Sequence, residues 1–276
     1  MNIKTLKDLP PWQWPHKAGK MLLRVLRDGQ AHPSDRQLAA ELAGDSTVIN
    51  DELADALLSI LCNHHESDPL RGQAAISLGP ALEYADIEGF QDPDNVPITE
   101  SMFLKTQKTF QKLYMDAETP KEVRRLVLEA SVRAPEKWHK NAVAAAYRSE
   151  DEAWNLTAVF CMQFISGFDK QILESLKSQN PDIHYHAVCA AGNWEVDAAW
   201  SHIAALVASE ATEKELRLAA IEAAVFILPH KASEILVPLL HSGDEDIVDA
   251  VYEALAMAGG LPEDEDDEDE DNRILH

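Results

Sequence analysis

The sequence predicts an all-α protein, a right-handed α-α superhelix (solenoid) of about seven helix pairs, and two observations carry that expectation. Helix openings recur at Leu70, Val123, Ala153, Ile183, Leu216 and Ile247, each after an acidic or Pro-bearing turn and each leading into an Ala-rich apolar stripe. The last four intervals are 30, 30, 33 and 31 residues, within the period that marks stacked two-helix units. Composition agrees. Of 276 residues 46% are apolar and only 11 are Gly, enough for one continuous core whose ends are capped rather than closed.

Taken in order, residues 1–16 read as a Trp- and Pro-rich cap segment. Leu9-Pro10-Pro11-Trp12-Gln13-Trp14-Pro15 holds three prolines, each restricting itself and its predecessor, so an extended, non-helical lead-in is expected. Its two Trp would cover the exposed apolar edge of the first pair. Repeats are expected over 17–260. A helix starts at Ala18 and runs through Met21, Leu22, Val25 and Leu26 to a stop at Asp28-Gly29; its partner occupies 34–44, with Ser34 as N-cap and Gly44 just past the end. First helices of the later pairs are expected near 51–62, 100–114, 136–147, 170–177, 198–208 and 232–240. The step from Leu70 to Val123 is 53 residues, about 22 beyond the period. That surplus is assigned to a loop over 86–99, which carries Gly89, Pro93, Asp94, Asn95 and Pro97. The segment 261–276 contains nine consecutive Asp and Glu at 263–271; it repels itself, has nothing to bury, and is expected to be disordered.

The formal charge is −24, and without residues 263–276 there remain 39 acidic against 23 basic residues, a body charge of −16. Such a field repels nucleic acid and anionic lipid and favours a basic protein partner, so neither nucleic acid nor membrane is expected as a partner. Cys62, Cys161 and Cys189 are odd in number and widely spaced, which implies no disulfide framework. Residues 1–26 are interrupted by prolines and lack the apolar segment of a secretory signal, and runs such as 158–165 fall short of the ~20 residues that cross a bilayer. A cytoplasmic setting is the expectation.

Three stretches carry a family likeness. Asn180-Pro181-Asp182-Ile183-His184-Tyr185-His186-Ala187-Val188-Cys189-Ala190-Ala191-Gly192, Asp68-Pro69-Leu70-Arg71-Gly72-Gln73-Ala74-Ala75-Ile76-Ser77-Leu78-Gly79 and Thr119-Pro120-Lys121-Glu122-Val123-Arg124-Arg125 resemble the second helix of HEAT repeats, in particular the HEAT-like (PBS-lyase-type) form also found in phycobilin lyases. The resemblance extends over nearly the whole chain up to Gly260. It implies a scaffold, an adaptor, an inhibitor or, less often, an enzyme. Directly after each opening residue comes a recurrent position, filled by Arg36, Arg71, Arg124, Trp154, His184, Arg217 and Val248. In this family an Arg there looks like part of a ladder paired with an acid of the adjacent repeat. A HEAT-like enzyme of the deoxyhypusine hydroxylase kind would show His-Glu pairs at these helix starts to hold two irons; the corresponding residues here are Gly72-Gln73 and Tyr185-His186. His64-His65-Glu66 occurs once, at the end of a first helix, and one pair cannot furnish a di-iron site. His184, His186 and Cys189 have zinc-type chemistry but no second pair, which favours packing over coordination. No catalytic residue, metal ligand or cofactor is therefore assigned.

In such a superhelix the second helices line the concave side, and positions two, six and ten after each opening residue form one stripe. In the middle of the chain it reads Arg125, Glu129, Arg133; Asn155, Val159, Gln163; Tyr185, Cys189, Asn193; Leu218, Glu222, Phe226. Tyr, Arg and Asn are residues that protein interfaces use. The candidate partner-binding set is Arg125, Glu129, Arg133, Trp154, Asn155, Gln163, Tyr185, His186, Asn193 and Glu222, with Trp154 expected to be the most presented of the central tryptophans. The expected function is a non-enzymatic scaffold that binds a protein or peptide on the concave face of the central repeats, with the acidic tail helping to capture a basic partner. The alternative is a HEAT-like enzyme of the bilin lyase kind, with a small-molecule pocket formed by Trp154, His184, His186 and Cys189.

Overall fold

The computed structural model describes residues 3–92 and 95–259, and all regular structure among them is helical. The chain divides into two compact units, 1–165 and 166–276, each an array of helix pairs. The acidic segment 261–276 lies outside the described residues.

In the first unit a short helix α1 (Lys4–Lys7) precedes four pairs: α2 (Ala18–Arg27) with α3 (Pro33–Ala43), α4 (Asp51–Cys62) with α5 (Asp68–Ile76), α7 (Glu100–Met115) with α8 (Lys121–Ser131), and α9 (Lys137–Tyr147) with α10 (Glu152–Cys161). An additional helix, α6 (Gly79–Glu88), stands between the second and third pairs. The second helices stack in order, α3 on α5, α5 on α8 and α8 on α10. Leu22, Leu26, Leu53, Leu57, Leu61, Leu82, Phe110 and Leu128 are fully buried between the layers. Starts are set by caps that satisfy otherwise orphaned amides: Asn50 accepts from Glu52 and Leu53, Ser67 from Leu70, Thr99 from Met102 and Asp151 from Ala153.

The second unit holds three pairs: α11 (Asp169–Ser175) with α12 (Pro181–Asn193), α13 (Trp200–Ala208) with α14 (Lys214–Ile227), and α15 (Pro229–Leu236) with α16 (Glu245–Met257). Here α12 packs on α14 and α14 on α16. The close approach of α12 to α14 depends on small residues. A Cβ added at Gly192 would lie 2.8 Å from the Ala223 Cα and 2.9 Å from its Cβ, nearer than side chains pack.

Four local expectations are corrected. The lead-in is not wholly extended, because Lys4–Lys7 is an α-turn and Pro11–Gln13 a 3-10 turn; the fixed φ of Pro11 suits a first helical position. Only one of its two Trp caps the edge. The Trp14 indole donates to the carbonyls of Leu6 (2.9 Å) and Leu9 (3.0 Å), while Trp12 is 79% exposed. The N-cap of α3 is His32, whose Nδ1 accepts from the Ser34 amide at 3.3 Å, because Pro33 takes the first helical position. The surplus before Val123 contains a helix: Gly79-Pro80 starts α6, so residues 86–88, expected in the loop, are helical and the turn comes at Gly89, with φ +68°. Past it the chain is fastened back, with the Thr99 amide and hydroxyl donating to Asp51 at 2.8 and 2.7 Å.

The recurrent arginines also behave differently from a ladder of ion pairs. Arg36, Arg71 and Arg217 donate to the carbonyls of Leu26, Leu61 and Val207, each ten residues earlier, at 3.2, 2.9 and 2.9 Å. Each thus caps the C-terminus of the first helix of its own pair, where carbonyls lack donors and positive charge is favoured. Of these three, Arg36 alone also meets an acid of the next pair, Glu66, through two bonds of 2.7 Å. A true inter-repeat charge ladder exists one turn earlier. Lys121 reaches Asp151 at 2.6 Å and Lys214 reaches Asp244 at 2.8 Å, in both cases from the first residue of one second helix to the N-cap of the next, 30 residues on.

Candidate protein-binding groove

The stripe read from the sequence has two different fates. In the first unit it is drawn into the packing. Arg125 pairs with Glu122 and Glu129 and donates to the Thr157 hydroxyl at 2.6 Å, and that hydroxyl donates to Glu129 at 3.0 Å. This closed network ties α8 to α10. Hydrogen bonding to Arg125 holds the Glu122 carboxyl below the usual carboxylate range and raises the Arg125 guanidinium in return. Arg133 pairs with Glu83 on α6 and lies over the rings of Phe160 (5.4 Å) and Phe164 (5.3 Å). Asn155 donates to the Tyr147 carbonyl at 3.1 Å, capping α9, and Gln163 donates to the Phe160 carbonyl at 3.2 Å. Trp154, expected at the surface, is 8% exposed and packs edge-on to Tyr114 at 6.5 Å. A large apolar ring next to Tyr114 and Trp138 is better buried than presented.

In the second unit the stripe stays open. Tyr185, Asn193, Glu222 and Phe226 are exposed and His186 is half-buried. Tyr185 and Glu222 come together on a groove of about 480 Å³ that runs along α14 and α16. Its floor is Leu218, Ala219, Ala250 and Ala254, with Met257 at one end. Its walls are acidic: Glu215 and Glu222 from α14, and Asp246, Asp249 and Glu253 from α16. Lys214 pairs with Asp246 as well as Asp244, whereas Glu215, Glu222, Asp249 and Glu253 form no ion pair with a described residue. Asp249, Glu253 and Met257 are absent from the candidate set. The signal for them is present in the sequence, since two, six and ten residues past the opening residue Ile247 gives these three positions.

Cys189 is half-buried behind Tyr185, to which it is hydrogen-bonded, and burial pushes its thiol up to about 11. The neighbouring Cys189 and burial likewise raise the Tyr185 phenol, with Glu222 and Glu215 adding to the effect. Both groups are therefore neutral near pH 7, and a thiol of this kind is a poor nucleophile. His184 places Nε2 2.7 Å from Nε2 of His202 on α13, so one ring donates to the other; burial lowers both, and the charge of His202 lowers His184 further. No sequence spacing announces that pair, because His202 lies on the next first helix. Burial also lowers His186, against the opposing effect of Asp182. Among the described residues no three or more His, Cys, Asp or Glu are grouped to hold a metal ion, and no helix is long and apolar enough to cross a membrane.

No family model matches the chain, and no curated protein matches it in sequence. Solved structures it is similar to include human deoxyhypusine hydroxylase in complex with glycerol, at 14% identity and a TM-score of 0.40 over 93% of this chain and 88% of that one. Another is YibA of E. coli, at 14% identity and a TM-score of 0.45 over 92% of this chain and 95% of that one. A third is an engineered protein, at 19% identity and a TM-score of 0.44 over 75% of this chain and 98% of that one. Likenesses of this strength assign neither a family nor an activity.

Proposed function

We propose that this chain is a HEAT-like helical-repeat scaffold of the cytoplasm that holds a protein or peptide partner of basic character on the second-helix face of its last three repeats. One observation carries the reading: the stripe that the first unit closes with its own side chains is left open in the second, where an apolar floor lies between acidic walls and four of the five wall carboxylates have no ion pair with a described residue. Soluble proteins bury or break such apolar strips unless something covers them, and unopposed negative charge selects a positive partner. Burial raises the Cys189 thiol, so little thiolate is present near pH 7, which counts against Cys189 as the nucleophile of the small-molecule enzyme alternative.

The test is capture from native cell extract with the whole chain beside a Glu222→Lys, Asp249→Lys double variant whose helical circular dichroism is unchanged. A partner held in stoichiometric amount by the first and lost by the second is the expected result. Identical sets of captured proteins from both would overturn the reading.

A further inference from the structure

We infer that the occupant of the α14–α16 groove is a basic amphipathic α-helix of the partner, laid along the groove with its apolar side on Leu218, Ala250 and Met257 and its Lys or Arg residues reaching the acidic walls. The inference rests on the reading that this face holds a protein, and it adds the conformation and chemistry of what is held.

Three features of the groove select a helix. The first is register. Glu215 and Glu222 stand seven residues apart on α14, and Asp249 and Glu253 four apart on α16, which are rises of about 10 Å and about 6 Å at 1.5 Å per residue. A bound helix has the same rise, so cations spaced i, i+4 and i, i+7 on its flanks meet carboxylates along both walls without a change of conformation. In an extended chain the same-face residues recur every ~7 Å, which matches the ~6 Å step of α16 but falls between repeats at the ~10 Å step of α14, so one strand face does not meet both walls in register. The second is depth. The floor is built chiefly from Ala219, Ala250 and Ala254, too shallow for isolated side-chain pockets but suited to the close approach of a rod. From Asp246 to Met257 the wall of α16 rises about 16 Å, or about three helical turns. The third is charge. Four carboxylates with no ion-pair partner among the described residues line it, and Lys214, the cation at its edge, is held by Asp244 and Asp246. The walls are exposed, so their attraction acts on encounter rate and salt dependence, while Met257, 61% exposed and adaptable, and the Leu218 side chain supply the apolar contact.

The experiment titrates the full chain into two labelled synthetic peptides of one composition, Leu, Ala and Lys, each about three to four turns long. In one the Leu recur at i, i+3/i+4 and i+7 with Lys on both flanks; in the other they alternate so that no helical face forms. The expected result is binding of the helical peptide about tenfold tighter than of the alternating one, lost by about tenfold in the Glu222→Lys, Asp249→Lys variant and again in Leu218→Asp, and weakened by added salt. Equal binding of both peptides, or helical-peptide binding that ignores both variants, overturns the helical occupant while the captured partner keeps the scaffold reading alive. Binding of neither peptide, with a partner still captured and lost on charge reversal, overturns the inference in the same way. Concentration-dependent self-association of the chain that the Glu222→Lys, Asp249→Lys variant abolishes would show that a second copy, not a partner helix, covers the groove.

Discussion

Two neighbouring second helices are joined in different ways in the two units, and the manner of joining decides what remains at the surface. Between α8 and α10 the joint is polar: Arg125, Thr157 and Glu129 close a network that consumes the outward stripe. Between α12 and α14 the joint is steric, with Gly192 against Ala223, and leaves Tyr185 and Glu222 facing outward. The polar joint fixes geometry and engages its stripe side chains with one another. The steric joint places the whole cost of approach on one hydrogen atom and frees the stripe for a partner.

The largest expected effect tests the steric joint. Gly192→Val would drive side-chain atoms into the Ala223 backbone and should destabilise the chain by about 3 kcal/mol or more, read as a lower urea midpoint. A midpoint within error of the parent would show that α12 and α14 are not held by close approach.

The polar style of the first unit extends to His139, which is fully buried on α9. Its Nδ1 accepts from the Glu136 amide at 2.8 Å and its Nε2 donates to the Ser131 hydroxyl on α8 at 2.9 Å, an arrangement that only the neutral ring can make. Burial lowers it to about 4 from 6.5. Below pH 6.5 the unfolded chain binds a proton that the folded chain refuses until about pH 4, so this stabilisation is complete above 6.5 and is lost as pH falls toward 4. Its span is at most about 3 kcal/mol. In urea titrations between pH 4 and 7 the parent should lose stability on acidification more steeply than His139→Gln; parallel curves would remove His139 from the account. The lowered His184, His186 and His202 of the second unit act with the same sign but are less buried.

Opening the polar joint should cost less. Arg125→Ala leaves Glu122, Glu129 and Thr157 without their shared cation, at an expected loss of about 1–2 kcal/mol, since the pairs are only partly shielded from water. Partner capture by this variant should match the parent, and a parallel loss of capture would mean that the first unit also contributes to recognition. The smallest effect concerns Lys214. Replacing it with Gln frees Asp246, makes the groove more negative, and should tighten a basic helical peptide by about two- to threefold at low salt, with the gain gone in high salt. An unchanged affinity at low salt would place Asp246 outside the contact.

Much of the architecture was legible because its causes are local. Recurrent helix openings, caps and Ala stripes located all seven pairs, and the helix expected near 51–62 is α4, Asp51–Cys62. Two of the corrected boundaries lie at prolines: Pro33 and Pro80 each stand in the first turn of a helix, where Pro is favoured, so α3 is capped by His32 rather than Ser34 and the surplus before Val123 contains α6. The candidate site was legible as a face but not as a site. Spacing alone put Arg125, Asn155, Tyr185 and Glu222 on one stripe, and nothing in that spacing distinguishes an Arg that finds Glu129 on its own helix and Thr157 on the next from a Glu that finds no ion-pair partner among the described residues. Continuing the same spacing past Ile247 reaches Asp249, Glu253 and Met257, so the acidic wall of α16 was available to the sequence and simply lay beyond the central repeats.

The sequence by itself determined the seven helix pairs and the sign of the charge, because capping, periodicity and composition act over a few residues or over the whole chain. Only the tertiary structure decided that Trp154 is buried, that His184 meets His202, that the recurrent arginines cap their own first helices, and that the open stripe lies in the second unit. Those outcomes depend on which side chain of one helix reaches which atom of another, a distance of a few ångströms that no spacing along the chain encodes.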